Sequence, residues 1–178
     1  AAGVTGWLFF LPRVPGAPEA VLRAVPATSY PGDETSPGFS PDGRQIVFAW
    51  RREDSDNHDI YVKLAGSGEP LQLTRGPDED VAPAWSPDGT QIAFYRRSEK
   101  GAGIYTVSPL GGSERILAQL SAGPPKPEMG YAQAQLSWSR DGELLAFQDQ
   151  NSPGEPYIVW LLSLATGAKR TLTSPPAE

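Results

Sequence analysis

The sequence contains no cysteine, one histidine (His58) and one methionine among 178 residues. Without cysteine there is no disulfide framework and no thiolate metal site. A single histidine among carboxylates is a poor zinc ligand set. There is no Gly-x-Ser-x-Gly elbow, so no serine hydrolase motif is present. Gly66-Ser67-Gly68 and Gly111-Gly112 lack the following Lys-Ser/Thr and helix of a phosphate loop. Net charge is −6, from 15 basic and 21 acidic residues, which argues against a general nucleic-acid binder. Sustained helical periodicity is also missing; the one short helical candidate is 18–23.

What is abundant is punctuation. There are 19 glycines and 19 prolines, with short apolar runs between them. That pattern predicts many short strands. The first 20 residues read as a separate segment. Gly3 to Leu11 is apolar but about half the ~20 residues of a membrane helix. It reads either as a buried N-terminal stretch or as the end of a membrane helix, with Trp7 at the interface and Arg13 just outside. It is not an intact signal peptide, lacking a starting Met and a basic flank. Pro12 to Pro18 reads as a linker.

The strongest signal is a repeat. Phe39-Ser40-Pro41-Asp42-Gly43 leads into Ile46-Val47-Phe48, and Trp85-Ser86-Pro87-Asp88-Gly89 into Ile92-Ala93-Phe94. A third copy runs from Trp138-Ser139-Arg140-Asp141-Gly142 into Leu145-Ala146-Phe147. The aspartates are 46 and then 53 residues apart, the extra length falling in the Pro- and Gly-rich stretch 121–131. Each copy continues with Ile60-Tyr61-Val62, Ile104-Tyr105-Thr106 or Val159-Trp160-Leu161, then a glycine, then Leu73, Leu117 or Leu172. Each repeat is expected to form four antiparallel strands, with Asp-Gly as a tight turn. Ile46 and Phe48 point one way and Val47 and Ala49 the other. Sheets apolar on both faces must be stacked between others, as in blades around an axis. The fold expected is all-β, a partial propeller of about three blades over 21–178, near 29–74, 75–118 and 119–173.

These motifs resemble the TolB-type, WD-like propeller repeat, Pro-x-Trp-Ser-Pro-Asp-Gly-x-x-Ile-Ala-Phe followed by Ile-Tyr-Val, Gly and Leu-Thr. Pro37-Gly38-Phe39 and Pro83-Ala84-Trp85 match its opening; Leu136 and Arg140 depart from it in the third copy. The resemblance implies a non-enzymatic protein- or peptide-binding module without cofactor, in a periplasmic or extracytoplasmic setting. It also implies further blades, with 21–28 aligning with the fourth strand of a preceding blade. Leu22 to Pro26 and Thr28 to Gly32 are similar to the start of propellers in membrane-tethered kinases and winged-helix regulators. The alternative is the gating propeller of a prolyl-oligopeptidase-type peptidase whose catalytic domain lies elsewhere.

Site candidates follow from the loops before each first strand. Glu34, Asp80 and Gln133 each lie five residues before the strand-one aromatic and are expected around the channel mouth. Asp54, Asp56 and Asp59, flanking His58, read as a solvated hairpin tip or a weak calcium loop. Arg51-Arg52 and Arg96-Arg97 read as solvated strand ends paired with Glu53 and Glu99, or as a basic patch. Trp85 and Trp138 are expected to fill the wedge between blades.

Overall fold

The computed structural model describes residues 23–66, 68–123 and 135–173. The apolar run 3–11, the linker 12–18 and Gln133 lie outside them. The described residues form twelve strands and no helix. Sheet one holds β1 (Gly32–Phe39), β2 (Gln45–Arg52), β3 (Asp59–Leu64) and β4 (Leu71–Gln72). Sheet two holds β5 (Glu79–Trp85), β6 (Ile92–Ser98), β7 (Gly101–Val107) and β8 (Arg115–Leu120). Sheet three holds β9 (Leu136–Trp138), β10 (Leu144–Asp149), β11 (Ile158–Ser163) and β12 (Lys169–Thr171). Each is an antiparallel meander in sequence order.

The turn chemistry builds the first hairpin of each blade. Ser40 donates its hydroxyl to Asp42 at 2.6 Å and accepts the Gln45 N–H at 2.9 Å, while Asp42 accepts the Arg44 N–H at 3.0 Å. Ser86 and Ser139 repeat this with Asp88 and Asp141. Gly43, Gly89 and Gly142 take φ of 71°, 71° and 75°, the left-handed region glycine enters without steric cost. The turns also stack. A Cβ on Gly89 would sit 3.7 Å from Pro41, and one on Gly142 3.5 Å from Pro87.

Phe48, Phe94 and Phe147 occupy equivalent places, opposite Tyr61, Tyr105 and Trp160. The ring pairs stack with centroids 6.0, 6.0 and 6.5 Å apart. Packing then alternates by face. Val47, Ala49, Ile60 and Val62 of sheet one meet Ile92, Phe94 and Val107 of sheet two. The other face of sheet two, through Ala93, Tyr95 and Ile104, meets Leu136, Leu145 and Phe147. Each fully buried aliphatic or aromatic side chain contributes about 1.5–3 kcal/mol, so the seams carry most of the stability. Trp85 Nε1 donates to the Gly38 carbonyl at 3.3 Å, and Trp138 Nε1 to the Ala84 carbonyl at 3.1 Å. The tryptophans therefore wedge and pin successive blades.

Candidate functional site

The inner strands β1, β5 and β9 lie side by side and bound an open concavity of about 490 Å³. It is lined by the same repeat positions from three blades: Ser36-Pro37, Ala82-Pro83 and Gln135-Leu136, with Ser137 beside them. In the first two blades these positions form a β-bulge, because Ser36-Pro37 faces Phe48 alone and Ala82-Pro83 faces Phe94 alone. Ser36 and Ala82 both take φ of 52°, the only positive φ values among described non-glycine residues. Such conformations are costly and cluster where a site is shaped. Proline is tolerated there because a bulge relieves it of ladder bonding. The lining is uncharged, with hydroxyl, amide and backbone groups suited to an extended polar chain.

Two residues upstream, the positions expected at the channel mouth have separate fates. Asp80 is 1% exposed and faces the seam between sheets one and two. Arg96 grips it with two hydrogen bonds of 2.7 Å and also reaches Glu114, with Asp78 3.9 Å away. The guanidinium lies over the Phe94 and Tyr105 rings, 5.3 and 4.9 Å from their centroids. Burial pushes the Asp80 carboxyl up to about 6, against the opposing pull of Arg96. Burial lowers the Arg96 affinity for its proton, but hydrogen bonds to Asp80 and Glu114 outweigh it and raise it. Glu34 is half-buried; it accepts from the Thr28 hydroxyl and lines a second, apolar recess on the other face of sheet one. The structure thus does not bring Glu34 and Asp80 together at the concavity.

Two surface expectations need correction. His58 is not a solvated hairpin tip but 2% exposed, its Nδ1 2.7 Å from Glu79 and its Nε2 3.4 Å from Asp33. The Asn57 side chain donates to the Asp78 carbonyl at 2.7 Å, and the Asp80 N–H to the His58 carbonyl, folding this corner into the seam. Arg96 is a half-buried clamp rather than a strand end paired with Glu99, and Arg52 pairs with Asp54, not Glu53. Of the calcium-loop residues, Asp59 is buried, accepting from Gln72 and Thr74. Asp54 is held by Arg52 and Asp56 faces solvent. No group of three His, Asp or Glu side chains gathers as a metal site among the described residues. Sequence reasoning missed the bulge; its signal was the proline two residues before Phe39 and Trp85.

The chain matches the family described as TolB beta propeller domain over residues 22–178. Its structure is similar to a TolB of Agrobacterium tumefaciens, at 22% identity and TM-score 0.67, covering 82% of this chain and 50% of that one. A TolB of Acinetobacter baumannii follows at 24% identity and TM-score 0.63, covering 83% and 34%. A puromycin hydrolase shares the fold at 18% identity and TM-score 0.61, covering 80% and 22%. The chain spans half or less of the length of these structures. No curated protein matches it.

Proposed function

This chain belongs to the TolB beta propeller domain family, and on that premise we propose that it is a non-enzymatic module that holds an extended peptide segment of a partner protein. The observation that carries this reading is the convergence of three equivalent repeat positions, Ser36 and Ala82 at their bulges and Gln135, on one uncharged concavity. Positions that keep a strained backbone in two consecutive blades are shaped for a ligand rather than for packing alone. The setting proposed is extracytoplasmic, within a membrane-tethered regulator or kinase or a TolB-like scaffold. No helix among the described residues is long and apolar enough to cross a membrane. The residues of the apolar run 3–11 lie outside that search.

A gating propeller of a hydrolase is the second reading, supported by the likeness to puromycin hydrolase, which at 18% identity is a likeness of fold. It ranks lower because His58, the sole histidine, is committed to Glu79 across a seam and to Asp33 of sheet one. Catalytic groups would have to come from another domain.

The test is selection of linear peptides displayed against the chain. Selected peptides are expected to lose at least tenfold in affinity with Ser137→Trp, which fills the concavity from the exposed side of β9. Gln135→Ala is expected to weaken them to a smaller extent. If the peptides bind both variants as tightly as the parent, the concavity is not the site.

A further inference from the structure

We infer that Tyr95 is a positioning residue for the concavity: its buried hydroxyl, reaching across the second seam, fixes where Gln135 enters the site. The placement of Gln135 stands on the seam geometry alone. Its consequence for a ligand rests on the peptide reading above.

The three lining segments are held in different ways. In sheets one and two the first strand bulges at Ser36-Pro37 and Ala82-Pro83 and keeps its ladder on the far side, Thr35 opposite Ala49 and Val81 opposite Tyr95. Each bulge is also pinned from the next blade. Trp85 Nε1 donates to the Gly38 carbonyl and Trp138 Nε1 to the Ala84 carbonyl, each two residues past the strained position. In sheet three the described pairing of β9 stops at Leu136 opposite Phe147, with no bulge. The next residue of β10, Gln148, gives its N–H to the Tyr95 hydroxyl at 2.8 Å. The same hydroxyl lies 3.2 Å from the Gln135 carbonyl and 3.3 Å from the Gln148 carbonyl. A side chain of sheet two thus joins the entrance of β9 to β10 where the ladder of sheet three ends.

Tyr95 is fully buried, and a buried hydroxyl has to be satisfied. It accepts one N–H and shares its single proton between two carbonyls. Burial pushes it well above the usual phenol range, so the proton stays in place. Ala49 is the equivalent residue of sheet one, three past Ile46 as Tyr95 is three past Ile92. Alanine has no group with which to hold a strand across its seam, and β5, across that seam, is one of the strands that bulge. Equivalent lining positions therefore differ in what keeps them rigid. Ser36 and Ala82 sit inside ladders that continue on both sides. Gln135 is exposed and precedes the ladder, with the Tyr95 hydroxyl on its carbonyl. A lining residue without such a hold has to be ordered when a ligand binds, which weakens binding.

The test compares Tyr95→Phe with Leu162→Val. The first keeps the ring and removes only the hydroxyl. The second thins the same core from β11, a strand that does not pair with β9. NMR relaxation of the ligand-free chain comes first. In Tyr95→Phe the order parameter of the Gln135 N–H is expected to fall from about 0.85 to below about 0.6, with those of Ser36 and Ala82 unchanged. Leu162→Val is expected to leave all three at their parent values. A Gln135 that stays rigid in Tyr95→Phe, that loosens equally in Leu162→Val, or that is already mobile in the parent overturns the inference, whether or not any peptide binds. Peptides selected against the parent then read the consequence. Tyr95→Phe is expected to weaken them about fivefold, and to add less than about twofold once Gln135→Ala is present. An equal loss in both backgrounds means general loosening of the seam and overturns the role assigned to Tyr95. Peptides indifferent to Ser137→Trp refute the peptide reading instead, and the relaxation result alone then decides whether Tyr95 places Gln135.

Discussion

The two seams of the molecule solve one packing problem with different chemistry. Both place a phenylalanine, Phe94 or Phe147, at the centre, and both are pinned by a tryptophan N–H on a backbone carbonyl. At the first seam the polar rim holds an ion cluster, Arg96 with Asp80 and Glu114, and beside it the His58 ring lies between the Glu79 and Asp33 carboxylates. At the second it is largely neutral. The Tyr95 hydroxyl accepts the Gln148 N–H at 2.8 Å and lies 3.2 Å from the Gln135 carbonyl. There Asp149, in the repeat position of Arg96, is 1% exposed and accepts the N–H groups of Ser121, Ala122 and Gly123. The difference teaches that the repeat dictates where apolar groups go. The buried polar rim varies freely so long as each group finds a partner.

Breaking the shared part should hurt both seams most and equally. Phe94→Ala and Phe147→Ala, each in a position at most 1% exposed, should each cost about 3–5 kcal/mol in urea unfolding. A large inequality would show that the seams are not equivalent. The next effect is specific to the first seam. Asp80→Ala leaves the Arg96 cation short of its main partner and should cost about 3 kcal/mol. Asp80→Leu with Arg96→Met should recover most of that, since replacing a buried pair by apolar groups is often close to neutral.

At the second seam, Tyr95→Phe removes the acceptor of the Gln148 N–H and should cost about 1–2 kcal/mol. The same denaturation series measures it. A cost matching that of Asp80→Ala would erase the contrast between an ionic and a neutral rim.

The smallest effect separates the carboxyls by pH. Asp42, Asp88 and Asp141 are held below the usual carboxylate range by their serine hydroxyls and the following backbone N–H groups. Their contribution is present above the unfolded value near 3.8 and is lost as the pH falls through the depressed native values. Asp80 has the opposite sign. Its native value near 6 lies above the unfolded one, so its ionisation between pH 3.8 and 6 lowers stability as the pH rises. Carbon-detected NMR titration should show these aspartates in that order. An Asp80 that titrates with the turn aspartates would mean the Arg96 pairing outweighs burial.

The strands were legible because each is announced locally. Ser-Pro-Asp-Gly marks a hairpin, and apolar residues on both strand faces demand neighbours on both sides. The all-β blade architecture and the wedge position of Trp85 and Trp138 followed from that; their N–H bonds to the Gly38 and Ala84 carbonyls did not. His58 and Arg96 were misread because their partners are remote. Glu79 lies 21 residues from His58, and Asp80 lies 16 from Arg96, each on a different strand. Within the hydrophilic stretch Asp54 to Asp59, the last two residues, His58 and Asp59, look solvated but are buried once the blades pack, while Asp54 and Asp56 stay exposed. The concavity was sought at Glu34, Asp80 and Gln133, yet its described lining starts two residues later, because the bulge turns Ser36 and Ala82 inward.

The sequence by itself determined the repeat, the turns, the two-sided apolar strands and hence the stacking of blades, since these depend on residues a few positions apart. Only the tertiary structure decided which polar groups are buried, which strands bulge, and which face of sheet one is left open. Those outcomes depend on charges and edges that meet across blades, where sequence distance says nothing about separation in space.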